Sequence, residues 1–248
     1  PMNHLVKTNG WLNSSLIEIF IEKALKHYHS SSNILSMVCF ESLFNDETFK
    51  YDAVKRFFKK EYSEDKSKTL FDVGNVLHIP INYPHNVHWL YCYVVMSSKC
   101  IVLVDSMNNS SGDGEKITAI ILQFLEEEYE SNIGTGFKRQ EWTCSYNQVT
   151  PVQDDGCSCG LFVILNAMRV LKKIKMNKPL AIPSLSKLNV LGPSWERNFS
   201  AEDKRQLRML MFAIIQNDGD IGALLHFIVG VGEEQDEMRV ARTAESQA

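Results

Sequence analysis

The chain has 248 residues, 44% of them hydrophobic, and a formal net charge of −4. That length supports one sizeable core, the apolar fraction excludes a disordered chain, and the mildly acidic balance gives no sign of nucleic-acid binding. No stretch approaches the roughly 20 apolar residues that span a bilayer, residues 1–10 lack a signal peptide's apolar core, and six cysteines without a framework spacing point to reduced thiols. The N-x-S/T triplets at Asn13, Asn108, Asn109 and Asn198 are then chance sequons.

In chain order, the pattern alternates helix and strand without internal repeats and reads as α+β. Ser15-Leu16-Ile17-Glu18 has the form of a capping box, and Leu16, Ile17, Phe20, Ala24 and Leu25 fall at helical spacing, so a helix is expected over 14–28. A second is expected from Asp52 to Glu61, followed by a solvated charged loop to Lys68. Val76 to Ile81 reads as a strand. The aromatic and β-branched run Trp89 to Met96 is another, and Cys100 to Val104 a third, joined through a tight turn at Ser97-Ser98-Lys99. Lys116 to Tyr129 carries an apolar stripe with an acidic end at Glu126-Glu127-Glu128, the pattern of a surface helix. Trp142 to Val149 is an expected strand. Helices follow at Gly160 to Lys173, Ala201 to Gln216 and Ile221 to Val229, with a coil from Met176 to Arg197 that holds Pro179, Pro183 and Pro193. Residues 1–231 are read as a single domain and 232–248 as a polar, frayed tail.

The chemistry concentrates at Gln153-Asp154-Asp155-Gly156-Cys157-Ser158-Cys159-Gly160, which runs directly into the apolar Leu161 to Leu165. A thiol opening a helix feels the positive end of the dipole and the unpaired N–H groups of the first turn, both of which favour thiolate. Cys159 is therefore the candidate nucleophile, and Cys157 a neighbour without a catalytic role, although the two could oxidise together. Gln153, six positions upstream, supplies a neutral N–H donor for an oxyanion beside that sulfur. Gly156 and Gly160 let the backbone pass close to a substrate. The Cys-Ser-Cys pattern lacks a second ligand pair at a zinc-like spacing, so no metal is expected.

A cysteine nucleophile needs a base and a group that orients the base. His88 opens one expected strand and Asp105 ends the next, so a tight hairpin brings them together. The other histidines, His4, His27, His29, His78, His85 and His226, have no comparable surroundings and read as surface or core residues, with His85 sharing the loop of His88.

These residues resemble the pattern of the Ulp/SENP-type cysteine proteases, the papain-like clan that cleaves ubiquitin-like modifiers. The family's His-Trp, an Asp 17 positions on, and a Gln six before the Cys of a Gly-x-(Asp/Ser)-Cys-Gly box read here as His88-Trp89, Asp105, Gln153 and Gly156-Cys157-Ser158-Cys159-Gly160. Trp11-Leu12-Asn13 resembles the family's opening Trp-Leu-Asn-Asp element. The likeness covers about residues 11 to 215. It implies a papain-like fold with a central mixed sheet flanked by helices, a triad of Cys159, His88 and Asp105 with Gln153 at the oxyanion, and no cofactor. It also implies that Trp11 and Trp89 flank a narrow tunnel admitting only a Gly-Gly terminus, as residues without Cβ let an extended backbone lie between indole faces.

The substrate implied first is SUMO, matured from its precursor or released from conjugates. Ser14 replaces the family's Asp, however, and removes a carboxylate expected to contact a basic modifier surface. Ubiquitin and NEDD8 are the alternatives, since the clan includes deubiquitinases and deneddylases, some made by bacteria and delivered into host cells. A clan-related acetyltransferase is a more distant reading, opposed by the two tryptophans, and a non-catalytic modifier-binding module is opposed by the intact catalytic set. The enzyme is expected to act as an intracellular monomer, nuclear or cytoplasmic. A chain opening on Pro1 with a family element by residue 11 is expected to be a catalytic domain cut from a longer protein.

Overall fold

The computed structural model describes residues 10–28, 33–34, 51–52, 69–72, 76–83, 88–107, 111–147, 152–175, 200–217, 219, 221–222 and 224. Five strands, β1 (Asn33–Ile34), β2 (Val76–Tyr83), β3 (His88–Val95), β4 (Cys100–Val104) and β5 (Thr143–Asn147), form one mixed sheet in chain order. The β2–β3 and β3–β4 pairs are antiparallel, whereas β1 and β5 run parallel to β2 and β4. The described residues also include the helices α1 (Ser14–Tyr28), α2 (Ser111–Asn132), α3 (Cys159–Lys175) and α4 (Ala201–Gln216).

Period-two alternation in the strands divides the core into two layers. Trp89, Tyr91, Tyr93 and Val95 of β3, with Cys100, Val102 and Val104 of β4, face a cluster built with α1, α3 and α4. Leu90, Cys92 and Val94, with Ile101 and Leu103, face the opposite cluster, to which α2 contributes Ile117, Ile121, Phe124 and Leu125. With apolar side chains on both faces, β4 is buried throughout. This is the expected α+β sandwich of a mixed sheet between helices, and each fully buried Leu, Ile or Phe contributes about 1.5–3 kcal/mol. No helix among the described residues is long and apolar enough to cross a membrane.

Helix α3 is buried from Cys159 through Leu171 and packs on both α1 and β3. Gly160 stands where the three meet. A Cβ there would lie 3.0 Å from Leu12 Cβ, 3.1 Å from Ile17 Cδ1 and 3.3 Å from Trp89 Cδ1. The glycine expected to make room for substrate is thus required by internal packing.

Several boundaries differ from expectation. Ser15 lies inside α1; the cap is Asn13, whose Oδ1 accepts from Leu16 N–H at 3.0 Å and whose carbonyl accepts from Ile17 N–H at 3.2 Å. Helix α2 extends beyond 116–129 at both ends. Its acidic end is also not uniformly a surface feature: Glu128 is buried, accepts the Tyr51 hydroxyl at 2.5 Å, and accepts from Asn132 at 2.9 Å. The 96–99 turn joins β3 to β4 as expected, with Lys99 at φ 50°. The expected elements over 53–61, 61–68, 176–197 and 232–248, and most of 221–229, lie outside the described residues, as do His4, His29, His85 and His226.

Gly160→Val should destabilise the protein by about 1–3 kcal/mol, because Leu12 Cβ is tied to backbone and cannot yield as a side-chain tip would. Urea unfolding measures this. Wild-type stability in the variant would mean that the α1–α3–β3 junction is loosely packed.

Candidate active site

The hairpin register pairs Tyr91 with Val104. Extended by one residue, it sets Asp105 opposite Leu90, on the same face as His88 and diagonal to it. There the His88 Nε2 lies 2.7 Å from Asp105 Oδ1, with the two side chains 12% and 5% exposed. The same Oδ1 accepts from Met107 N–H at 2.8 Å, so the turn after β4 holds the carboxylate. Burial alone would push the His88 pKa down. The hydrogen bonds and charges of Asp105 and Cys159 outweigh it and raise the imidazole from 6.5 to about 9. This is a specific contact and not a generic property of buried histidine: His78 has its Nδ1 2.6 Å from the Tyr91 hydroxyl, and burial lowers it to about 3.

Cys159 is the first residue of α3 and 2% exposed. Phe162 N–H donates to the Ser158 carbonyl at 3.1 Å, which makes Ser158 the residue at the helix cap. The Ser158 side chain is turned to Asp155 Oδ2, 2.8 Å away. Asp155 Oδ1 accepts from Cys157 N–H at 2.9 Å and Ser158 N–H at 2.7 Å. Burial opposes the charge on Asp155, but Lys204, these amides and the Ser158 hydroxyl together hold its carboxyl well below the usual carboxylate range. Cys157, half-buried, is pushed the other way: burial and the Asp155 carboxylate both raise its thiol pKa. Of the two thiols, Cys159 faces the His88 imidazole and Cys157 faces an anion.

Gln153 is buried and held at both ends. Its Oε1 accepts the Ser106 hydroxyl at 2.9 Å, its Nε2 donates to the Asp155 carbonyl, and its backbone N–H donates to the Ser106 carbonyl at 2.7 Å. The same Nε2 also donates to Asp155 Oδ1 at 3.3 Å, a longer bond from which an oxyanion could draw the second N–H of the amide. Asp105 and Ser106, adjacent in one turn, therefore hold the His88 imidazole and the Gln153 amide respectively.

The remaining expected residues have different surroundings. Trp89 is 5% exposed, and its Nε1–H donates to the Leu12 carbonyl at 3.1 Å, which ties the segment before α1 to the start of β3. Trp11, next to that carbonyl, is 38% exposed. Gly156 is exposed, and a Cβ there would meet nothing within 4 Å, so no neighbour within the described chain demands a glycine. No motif in the sequence marks Ser106, Asp155 or Lys204 as part of the site. An Asp three residues before the Ser at a helix start is a local signal for the first turn's cap, whereas Lys204 has none, as it lies 49 residues from its partner.

The chain matches the Ulp1 protease family, C-terminal catalytic domain, over residues 10–180. Sentrin-specific protease 2 of Rattus norvegicus is 30% identical over 164 residues, covering 63% of this chain and 25% of that protein. Its Homo sapiens counterpart is 27% identical over 163 residues, with the same coverage. The chain thus spans about a quarter of the length of the curated relatives it matches. Among solved structures, the C-terminal Ulp1 protease domain in complex with Smt3, the yeast ortholog of SUMO, aligns with TM-score 0.59 and 20% identity, over 90% of this chain and 82% of that one. The Ulp1-like SUMO protease catalytic domain of Chaetomium thermophilum aligns with TM-score 0.61 and 17% identity, over 86% and 75%.

Because folding raises the His88 pKa, the pair's stabilisation is complete below about pH 6.5 and is lost as pH rises towards 9. Urea unfolding should therefore show wild-type stability falling across that interval by about 2–3 kcal/mol, and Asp105→Asn losing most of this fall. Superimposable pH profiles would mean that Asp105 does not hold the proton on His88.

Proposed function

The chain belongs to the Ulp1 protease family, and we propose that it is a thiol-dependent protease and isopeptidase that cleaves after the C-terminal Gly-Gly of SUMO. The observation that carries this reading is Cys159 at the start of α3, acting on the protonation of a His88 that Asp105 holds at 2.7 Å. In the reaction the proton is held on His88, and the Cys159 sulfur attacks the carbonyl carbon of the terminal glycine. The tetrahedral oxyanion is received by the second Gln153 N–H, drawn from Asp155 Oδ1, and by the Cys159 backbone N–H. His88 then protonates the leaving amine, which is a lysine side chain in a conjugate or a backbone amine in a precursor. Water, giving its proton to the same imidazole, hydrolyses the thioester and frees the thiol. Asp105 keeps the imidazole in one orientation and one tautomer throughout.

Trp11 and Trp89 act as the walls along which the glycine tail lies. The bond from Trp89 to the Leu12 carbonyl supports this by holding the Trp11 segment against the strand that begins with the base. Trp89 serves mainly as the fixed wall, given its burial, and Trp11 as the side open to substrate. The choice of SUMO is supported by relatives named as sentrin-specific proteases and by the Smt3-bound Ulp1 domain of like fold.

Activity-based probes ending in a reactive glycine, one each on SUMO, ubiquitin and NEDD8, test the reading. The SUMO probe should label the wild type, Cys159→Ala should abolish labelling, and Cys157→Ala should retain most of it. Labelling by the ubiquitin or NEDD8 probe alone would reassign the substrate. Equal loss in both folded variants would remove Cys159 as the sole nucleophile.

A further inference from the structure

Two buried cations project from α4 towards the nucleophile loop, one helical turn apart. Lys204 is 6% exposed and Arg208 1% exposed. Both lie beyond residue 180, where the family match ends. The Lys204 Nζ donates to Asp155 Oδ2 at 2.6 Å and to Asp154 Oδ1. Its ammonium is kept charged against burial by these two carboxylates. Asp155 is the residue through which the loop is assembled, since its carboxylate receives the Cys157 and Ser158 amides and its carbonyl receives the Gln153 amide.

A glutamine side chain ends in a soft torsion, so its N–H points usefully only when both ends of the amide are held. Ser106 holds the oxygen, 2.9 Å away, and the Asp155 carbonyl holds the nitrogen. The Ser106 grip is anchored in the turn after β4. The Asp155 grip is on a loop, where Lys204 hydrogen-bonds its carboxylate and the Arg208 guanidinium acts on it through charge. Removing that ammonium takes a hydrogen-bonded cation from a partly buried carboxylate, and such a group reorients towards water, carrying its own peptide with it.

We propose that Lys204 is a positioning residue for the oxyanion donor, acting through Asp155 to fix the Gln153 amide; this rests on the thiol-protease reading above. Lys204 does not touch the reacting atoms. Its effect therefore falls on the step that develops negative charge on oxygen and spares both substrate binding and the intrinsic reactivity of sulfur.

The test measures Lys204→Met with SUMO bearing a C-terminal coumarin amide, beside alkylation of Cys159 by iodoacetamide. Alkylation displaces iodide directly and forms no tetrahedral oxyanion. Loss of one oxyanion donor typically costs about 10²–10³ in kcat, so misorienting it should cost about 10–100-fold, with KM changed less than about twofold. Alkylation should stay within about twofold of wild type. In a Gln153→Ala background the same substitution should cost almost nothing further, because the group it positions is gone. Lys204→Arg, which keeps a cationic donor for Asp155, should recover much of the loss. An equal fall in both backgrounds, or an alkylation rate that drops in step with kcat, would overturn the proposal and place Lys204 in support of the fold or the thiol. Wild-type turnover in the same assay reports on the protease reading itself, so a loss confined to the variants reports on Lys204.

Discussion

The 2.7 Å contact between His88 and Asp105 depends on the register of a single antiparallel hairpin, and the rest of the site is arranged around it. A slip of one residue would turn His88 to the opposite face of the sheet and leave Asp105 buried without its partner. That register is held by burial on both sides of β3 and β4, because each face packs a different apolar cluster. Neighbouring residues of β3 then do separate work. His88 meets the carboxylate, while Trp89 lies on the other face of the strand, against Gly160 at the start of the helix that begins with Cys159. The strand that presents His88 thereby also packs against the start of the helix that begins with Cys159.

Charge in this site is managed by donors more than by solvent. The Asp155 carboxylate, which would be costly to bury alone, is surrounded by two backbone amides, a hydroxyl and an ammonium. That anion raises the Cys157 thiol, whereas the imidazole beside Cys159 is held protonated to higher pH than a free histidine. Two thiols two residues apart are thus separated in chemistry by the carboxylate that faces one and the imidazole that faces the other. Asp105 and Ser106 divide a similar task at the end of β4, one holding the His88 imidazole and the other the Gln153 amide.

Much of this was legible in the sequence because the informative constraints are local or nearly so. A 17-residue interval across a four-residue turn brings His88 to Asp105, and the apolar run after Gly160 marks α3 with Cys159 at its head. What stayed illegible depends on tertiary contact. Lys204 reads as one more surface lysine on an amphipathic helix until α4 docks on the 154–158 loop. Glu128 looks like part of a solvated acidic end until Tyr51, 77 residues away, supplies its donor. The requirement for Gly160 comes from Leu12 and Trp89, which no local pattern connects to it. The cap of α1 was missed by two residues for a simpler reason: Asn13 and Ser15 are both competent capping types, and which one serves depends on where the chain enters from Leu12, whose carbonyl Trp89 holds.

The orientation of His88 is the feature on which base, nucleophile and carboxylate all depend, and the position of its proton is directly measurable. With Asp105 accepting from Nε2, the neutral imidazole must carry its hydrogen on Nε2 and offer Nδ1 to sulfur. Nitrogen-15 NMR of histidine-labelled protein, with the His88 signals assigned by their loss in His88→Gln, reads both nitrogens across a pH titration. The expected result is a transition near pH 9, above which Nε2 remains protonated and Nδ1 does not. A neutral form protonated on Nδ1, or a transition at or below pH 6.5, would contradict the arrangement of base and carboxylate from which the proposed chemistry follows.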